Sequence, residues 1–236
     1  MALPTGDQLL EPNAAVRVVR LCQITSGHIG HGPIARNNED YLAVEVAEMM
    51  NQTEDLSSEK LDWCVKYLTE ECQARYVIVW CRWRRERERL VKLLNNLGGT
   101  MMFGAEGRIN VLEIYGGQKQ SERDFAIRYF SASSDDKAKF VLVAQPHAGG
   151  HGLNLIAATE VIYLSNDWSL GIRLQSEDRC HRPGQKHPVT YIDVLATGPK
   201  GQQSIDHIVY KALIRKQELA HLTASAWRQK LEEDNW

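Results

Sequence analysis

No run of apolar residues in this 236-residue sequence approaches the ~20 that a bilayer-crossing helix needs, which excludes a membrane-spanning segment. The opening residues, Met1 to Asp7, lack a basic start and an apolar core, and the expectation is a cytoplasmic protein without a secretory leader. Cysteine is sparse and unordered: Cys22, Cys64, Cys72, Cys81 and Cys180 are odd in number and form no C-x-x-C. That argues against a disulfide framework and a four-ligand zinc site, and for reduced thiols. His28 and His31 could supply two ligands, but a loop histidine pair without nearby cysteines reads as structural, and no metal site is expected. Charge of one sign is lacking too. Twenty-eight Lys and Arg stand against 30 Asp and Glu, a net charge of −2, so the chain as a whole does not announce a polyanion binder. There is no internal repeat and no low-complexity segment.

What is present is an alternation of two patterns. Tyr76–Cys81, Ile109–Tyr115, Phe140–Ala144, Val161–Leu164 and Thr190–Leu195 are short, apolar and rich in β-branched residues. Near-continuous apolar runs of this length suit strands buried on both faces. Between them lie segments of helical spacing. Leu61, Cys64, Val65, Leu68 and Cys72 form a stripe that Ser57 or Ser58 could cap. Leu90, Leu93, Leu94 and Leu97 form a second, closed by Gly98 and Gly99, and Phe125, Ala126, Tyr129 and Phe130 form a third. Strands alternating with helices predict an α/β domain with an open parallel sheet between helical layers.

The front of the chain differs. Ala15, Val18, Val19 and Cys22 form a helical stripe after Pro12, and Gly27–Asp40 reads as a loop. Ser204 to about Glu233 reads as one or two helices with Ile205, Ile208, Val209, Ala212, Leu213 and Leu219 on one side. The expected division is a lead-in over 1–56, a central α/β domain over 57–200 and a helical extension over 201–236.

Two segments concentrate positive charge. Arg82–Arg89 holds five arginines against two glutamates. It reads as a solvated helix face with Arg82–Glu86 and Arg84–Glu88 pairs; a phosphate-contacting edge is the alternative. The second segment, Gln175 to Gln185, places Gln175, Arg179 and Arg182 at helical spacing, which predicts both arginines on one helix face. It follows a glycine-dense loop, Gly149-Gly150-His151-Gly152-Leu153-Asn154-Leu155. Glycines let backbone amides approach an anion, and arginine forks grip phosphate oxygens. In a parallel sheet, loops at the carboxyl ends of strands gather the ligand-binding groups. The loops after Tyr115, Ala144 and Leu164 are therefore expected to converge on one face. Two arginines held there could complete a charge clamp around a transferring phosphoryl group.

The order of these segments resembles the second RecA-like lobe of superfamily-two helicases. Ala148 to Leu155 and Gln175 to Gln185 are similar to the Swi/Snf-related ATPases, DNA translocases that include chromatin remodellers. His181-Arg182-Pro183-Gly184-Gln185 is the discriminating part, because DEAD-box RNA helicases resemble the segment only through Gln175, Arg179 and Arg182. Val77–Trp83, Tyr115–Gln120 with Arg123, and Ser204-Ile205-Asp206 with Lys216-Gln217 resemble further family segments. His151 and Asn166–Leu170 look more like the compact phage and prophage members. The resemblance implies Arg182 as the arginine finger, Arg179 as its companion on the γ-phosphate side, and Gln175 as a residue ordering that helix. It implies Gly150, Gly152 and Asn154 near the nucleotide ribose or the lobe interface. Gly116, Gly117, Gln118 and Lys119 would meet a DNA phosphate through backbone amides and the lysine charge. Where many relatives carry Ser-Thr-Lys, this chain has Gln145-Pro146-His147. Pro146 has neither hydroxyl nor N–H, and His147 would replace part of the expected phosphate contact.

No G-x-x-x-x-G-K-S/T phosphate loop and no Asp-Glu-x-His box occurs in the sequence. The resemblance therefore implies ATP with Mg²⁺ held mainly by an N-terminal ATPase lobe outside this sequence, with duplex DNA contacted without sequence preference. The chain alone is expected to be inactive as an ATPase. A stand-alone nucleic-acid-binding module and an RNA helicase lobe are the alternative readings.

Overall fold

The structure is a computed structural model that describes residues 14–30, 53–97, 109–132, 138–148 and 153–233. Its elements, in chain order, are α1 (Ala14–Thr25), β1 (His28–Gly30), β2 (Thr53–Asp55), α2 (Glu59–Lys66, continued by a wide π turn over Tyr67–Glu71), β3 (Tyr76–Trp80), α3 (Arg84–Leu97), β4 (Ile109–Ile114), α4 (Gln120–Ala132), β5 (Lys139–Ala144), a 3₁₀ turn (Pro146–Ala148), β6 (Glu160–Tyr163), α5 (Leu170–Glu177), β7 (Thr190–Asp193) and α6 (Ile205–Glu233).

Strands β3 to β7 form one parallel sheet in the order β4-β5-β3-β6-β7. The alternation of side chains decides the layering. Val77, Val79, Val141, Val143 and Ile162 point to one face, where they pack on Leu61, Cys64 and Leu68 of α2 and its π turn and on Leu90 and Leu94 of α3. Ile78, Trp80, Phe140, Leu142, Val161 and Tyr163 point to the other, against Ala126 and Phe130 of α4 and against Leu155 and Cys180. The central strands β5, β3 and β6 are buried on both faces, which explains why they carry apolar runs rather than alternation. The result is a helix–sheet–helix sandwich, the expected three-layer RecA-like architecture.

A third cluster joins the two ends of the chain. Val19 and Cys22 of α1 pack with Trp83 and with Ile205, Val209 and Leu213 of α6. The Thr25 hydroxyl donates to Asp206 Oδ1 at 2.8 Å, and Lys60 Nζ meets Asp206 Oδ2 at 2.6 Å. The first part of the stretch expected as a loop after Gly27 is instead a short antiparallel pair, His28 to Gly30 against Asp55 to Thr53. His28 is buried and meets Trp83 edge-on, a structural role.

Several local expectations are corrected. Ser58 stands at the N-cap of α2, but its hydroxyl turns to Asp62 Oδ2 at 2.5 Å and caps no backbone amide. Ala126 and Phe130 are core, whereas Phe125 and Tyr129 of the same stripe are exposed and stack on each other, because α4 turns only a narrow face to the sheet. The tail is a single helix, and Ile208 and Leu219 lie on its exposed side, since only Ile205, Val209 and Leu213 reach α1 and Trp83. Gly98 and Gly99 lie outside the described residues. All five cysteines are free and buried, and burial raises the thiol pKa of each, for Cys180 to about 12, so they are unreactive packing groups.

Candidate functional site

The register of the sheet sets the site. Ile114 lies opposite Ala144, Ala144 opposite Trp80, and Trp80 opposite Tyr163, so these four strands end level with one another. Their exit loops therefore leave the sheet side by side, and the side chains on them interlock.

Gln145, directly after β5, ties three exits together. Its backbone N–H donates to Ile114 O at 3.0 Å, its Oε1 accepts from the Gly116 amide at 3.4 Å, and its Nε2 donates to Arg82 O at 3.4 Å. Asp167, in the loop after β6, forms an ion pair with Arg82 Nε at 3.2 Å and faces His147 Nε2 at 3.5 Å. Its other oxygen accepts from the Ser169 amide at 2.8 Å, and Ser169 in turn caps α5 at the Ile172 amide. Burial alone would raise the Asp167 pKa. The hydrogen bond to His147 and the charge of Arg82 overcome it and bring the carboxyl down to about 2.

The arginine segment corrects one prediction. Helix α5 ends at Glu177, so Arg179 and Arg182 lie on the turns beyond it, not on a helix face. Beyond the helix the Cys180 and His181 amides turn back to Glu177 O, and Arg182-Pro183-Gly184-Gln185 then forms a tight turn closed by Gln185 N to Arg182 O at 3.0 Å. Proline at its second position and Gly184 at φ +105° at its third suit such a turn, since only glycine accepts that φ without strain. The Gln185 amide then staples the turn to the neighbouring loop, donating to Ile156 O at 3.0 Å and Ala158 O at 3.1 Å.

The two arginines still reach one place. Arg179, 7% exposed, donates to Pro146 O at 3.5 Å and stacks over Trp80 at 5.4 Å, while its backbone oxygen accepts from Leu155 N at 3.0 Å. Burial lowers its pKa, and the like charge of Arg182 adds to that. Arg182 is exposed and donates to Leu153 O at 3.4 Å. Pro146 and Leu153, one before and one after residues 149–152 in the sequence, thus each hold one of the two guanidiniums by a backbone carbonyl. Gly150 and Gly152 themselves lie outside the described residues. Asn154 is exposed and its Oδ1 accepts from Ile156 N at 3.4 Å, and Gln175 is exposed on α5.

The turn after β4 is also exposed. Gly117 adopts φ +83°, with open space around it. Gly116 spends its amide on Gln145, and the Gln118 side chain folds back to Glu113 O at 3.2 Å. The outward groups here are therefore the Gly117 backbone and the exposed Lys119. Sequence reasoning missed Gln145, Arg82 and Asp167 as organisers of this edge. Asp167 had a readable signal, an Asp two residues before a Ser that begins a helix, which favours a side-chain-to-amide turn.

The Arg82–Arg89 segment is not a solvated face. Arg84 pairs with Glu88 at 2.7 Å as expected, but Arg82 bonds Asp167, and Glu86 is buried against the Ser165 hydroxyl.

A three-layer domain with this parallel sheet and this interlocked carboxyl edge defines a RecA-like lobe. Residues 59–184 match the helicase conserved C-terminal domain, and the chain belongs to that family. It is 37% identical over 120 residues to the ATP-dependent DNA helicase DDM1 of Arabidopsis thaliana, covering 51% of this chain and 15% of that protein. It is 42% identical over 90 residues to the human SWI/SNF-related matrix-associated actin-dependent regulator of chromatin subfamily A member 1, covering 38% and 8%. With the yeast transcription regulatory protein SNF2 (Saccharomyces cerevisiae) it shares 32% over 111 residues, covering 47% and 6%. The chain thus spans a small part of the curated relatives it matches. In fold it is similar to the crystal structure of the C-terminal part of the Fun30 ATPase domain, with a TM-score of 0.51 at 18% identity, covering 75% of this chain and 48% of that one.

Proposed function

We propose that this chain is the C-terminal lobe of an ATP-dependent DNA translocase and supplies two arginines to a nucleotide held mainly by an N-terminal ATPase lobe. The reading is supported by Arg179 and Arg182 bonding the carbonyls of Pro146 and Leu153, beyond the carboxyl ends of the strands. Arg182, exposed and tethered by a long hydrogen bond, is the finger that neutralises charge developing on a transferring phosphoryl group. Arg179, buried on Trp80, holds the loop and adds charge behind it. Gln175 steadies the helix before them, and Gly150, Gly152 and Asn154 face the nucleotide ribose or the other lobe. ATP with Mg²⁺ supplies the phosphoryl group and its metal, and the residues of this edge fit its anionic end through arginine forks and backbone amides.

On the same edge, Gly116, Gly117, Gln118 and Lys119 form a turn for a DNA phosphate. Gly117 and Lys119 make the contact, and Gln145 holds Gly116 in place. His147 extends the phosphate track. Contacts of this kind read no bases, so tracking along duplex DNA is independent of sequence. Residues 1–56 act as the lead-in from the ATPase lobe and 201–236 as an extension braced against it. His151 and Asn166–Leu170 favour a compact phage or prophage type working in the cytoplasm.

The test joins this chain to its ATPase lobe and follows ATP turnover. Turnover rises with duplex DNA of any sequence, and the 236-residue chain alone hydrolyses no ATP. Turnover by the chain alone, or equal stimulation by duplex RNA, overturns the reading.

A further inference from the structure

We propose that Asp167 is a positioning residue that orients the His147 ring, so that the ring takes up a second proton when a nucleic-acid phosphate binds at this edge. The proposal rests on the reading that this edge meets phosphates, and it adds a regulation that the reading does not contain.

Asp167 is pinned from three directions, by Arg82 from the β3 exit, by His147 from the β5 exit and by the Ser169 amide of its own loop. Its side chain is 17% exposed, so the carboxylate cannot swing away. His147 contrasts with it: the residues before and after are buried, but its own side chain is 47% exposed. Nε2 faces the carboxylate, and among the described residues no hydrogen bond is made to Nδ1.

The chemistry follows from the two ring nitrogens. A neutral imidazole that gives its Nε2–H to a carboxylate keeps a lone pair on Nδ1 and offers a phosphate only an acceptor. A second proton turns Nδ1 into a donor and makes the ring a cation, which a phosphate oxygen accepts. A fixed carboxylate on the opposite nitrogen stabilises that cation. The remaining charges around the turn are accounted for. Arg82 is spent on Asp167 and stacks over Trp83 at 4.5 Å. Arg179 donates to Pro146 O, the carbonyl of the residue before His147. On α5, which packs against this turn, Arg173 and Glu177 pair with each other at 2.5 Å.

The experiment measures the affinity of the 236-residue chain for a short duplex DNA of mixed sequence by fluorescence anisotropy. It is run at about pH 6 and about pH 8, on either side of ordinary imidazole titration, at one low ionic strength. The chain binds about fivefold more weakly at the higher pH, the scale of one charge-assisted phosphate contact. His147→Gln removes most of that dependence, and Asp167→Asn reduces it to under about twofold, while Asp167→Glu restores it in part. A flat profile in the unsubstituted chain, or an undiminished one in either His147→Gln or Asp167→Asn, overturns the proposal. His147→Gln alters an exposed side chain and keeps the test decisive if Asp167→Asn does not fold. Absence of binding at both values sinks the nucleic-acid reading along with this one; binding without pH dependence sinks only this one.

Discussion

The arginines that open α3 and the arginines that follow α5 lie near the same sheet edge but are wired in different ways. Around α3, Arg85 grips Asp55 through two bonds of 2.9 and 2.8 Å, and Arg87 meets Glu113 and stacks over Tyr115. Arg89 donates to Gly27 O and Ser57 O at 2.8 and 2.7 Å and pairs with Asp55 Oδ1 at 3.6 Å. These side chains lock the β1–β2 pair and strand β4 onto the sandwich, and their charge is consumed internally. After α5, Arg179 and Arg182 reach backbone carbonyls through longer bonds of 3.5 and 3.4 Å. A carbonyl orients a guanidinium without cancelling its charge, and of the two it is the exposed Arg182 that a ligand could reach. Density of arginine in the sequence favours the first segment; the kind of partner each arginine has found favours the second.

The largest effect expected from this contrast is on catalysis. In the two-lobed protein, Arg182→Ala lowers ATP turnover on the order of 10³-fold, the scale of an arginine finger. Duplex affinity and melting temperature stay close to those of the unsubstituted protein. Loss of DNA binding with turnover retained would move Arg182 to the other face of the mechanism. The next effect is on stability and belongs to the first segment. Arg87 is 4% exposed, and burial raises the Glu113 pKa even with Arg87 beside it. Arg87→Ala removes the ring stack and strands that carboxylate, costing about 3 kcal/mol by chemical denaturation. A cost under about 1 kcal/mol would show that the α3 arginines are solvated after all, and the contrast would collapse.

The sheet was legible in the sequence because its three central strands are buried on two faces and its edge strands keep short β-branched runs. Each of the five apolar runs became a strand to within one or two residues of its expected ends, and Lys139, Glu160 and Asp193, polar residues of the sheet, stand at strand ends. Helix faces were half legible. Phe130 and Phe125 look alike at helical spacing, and only the position of Phe140 and Tyr76 across the gap decides that Phe130 is core. The same holds for Val209 against Ile208 on α6, where the partner is the distant helix α1. At the candidate site, the convergence of three exit loops was readable from the rule that loops at the carboxyl ends of parallel strands share one edge. The wiring between them was not, because Gln145, Arg82 and Asp167 are 22 to 85 residues apart and pair only once the strands are in register. The arginine segment misled for a local reason: helical spacing continues past Glu177, and the turn made by Pro183 and Gly184 prevails over it.

The smallest expected effect sharpens the contrast from within the first segment. Arg84 and Glu88 form the one pair on α3 that helical spacing alone anticipated, and they are the outlying pair, 45% and 32% exposed. Solvent screens such a pair, and holding two long side chains together costs entropy that offsets most of the attraction. Arg84→Ala therefore changes stability by less than about 0.5 kcal/mol, and added salt leaves the difference small. The same substitution at Arg87 removes a buried partner. A comparison of the two in one denaturation series thus separates charge that is merely present on α3 from charge that holds β4 in place. If Arg84→Ala proved as costly as Arg87→Ala, burial would not be what distinguishes the arginines of this segment, and the same criterion could not be used to single out Arg179 from Arg182.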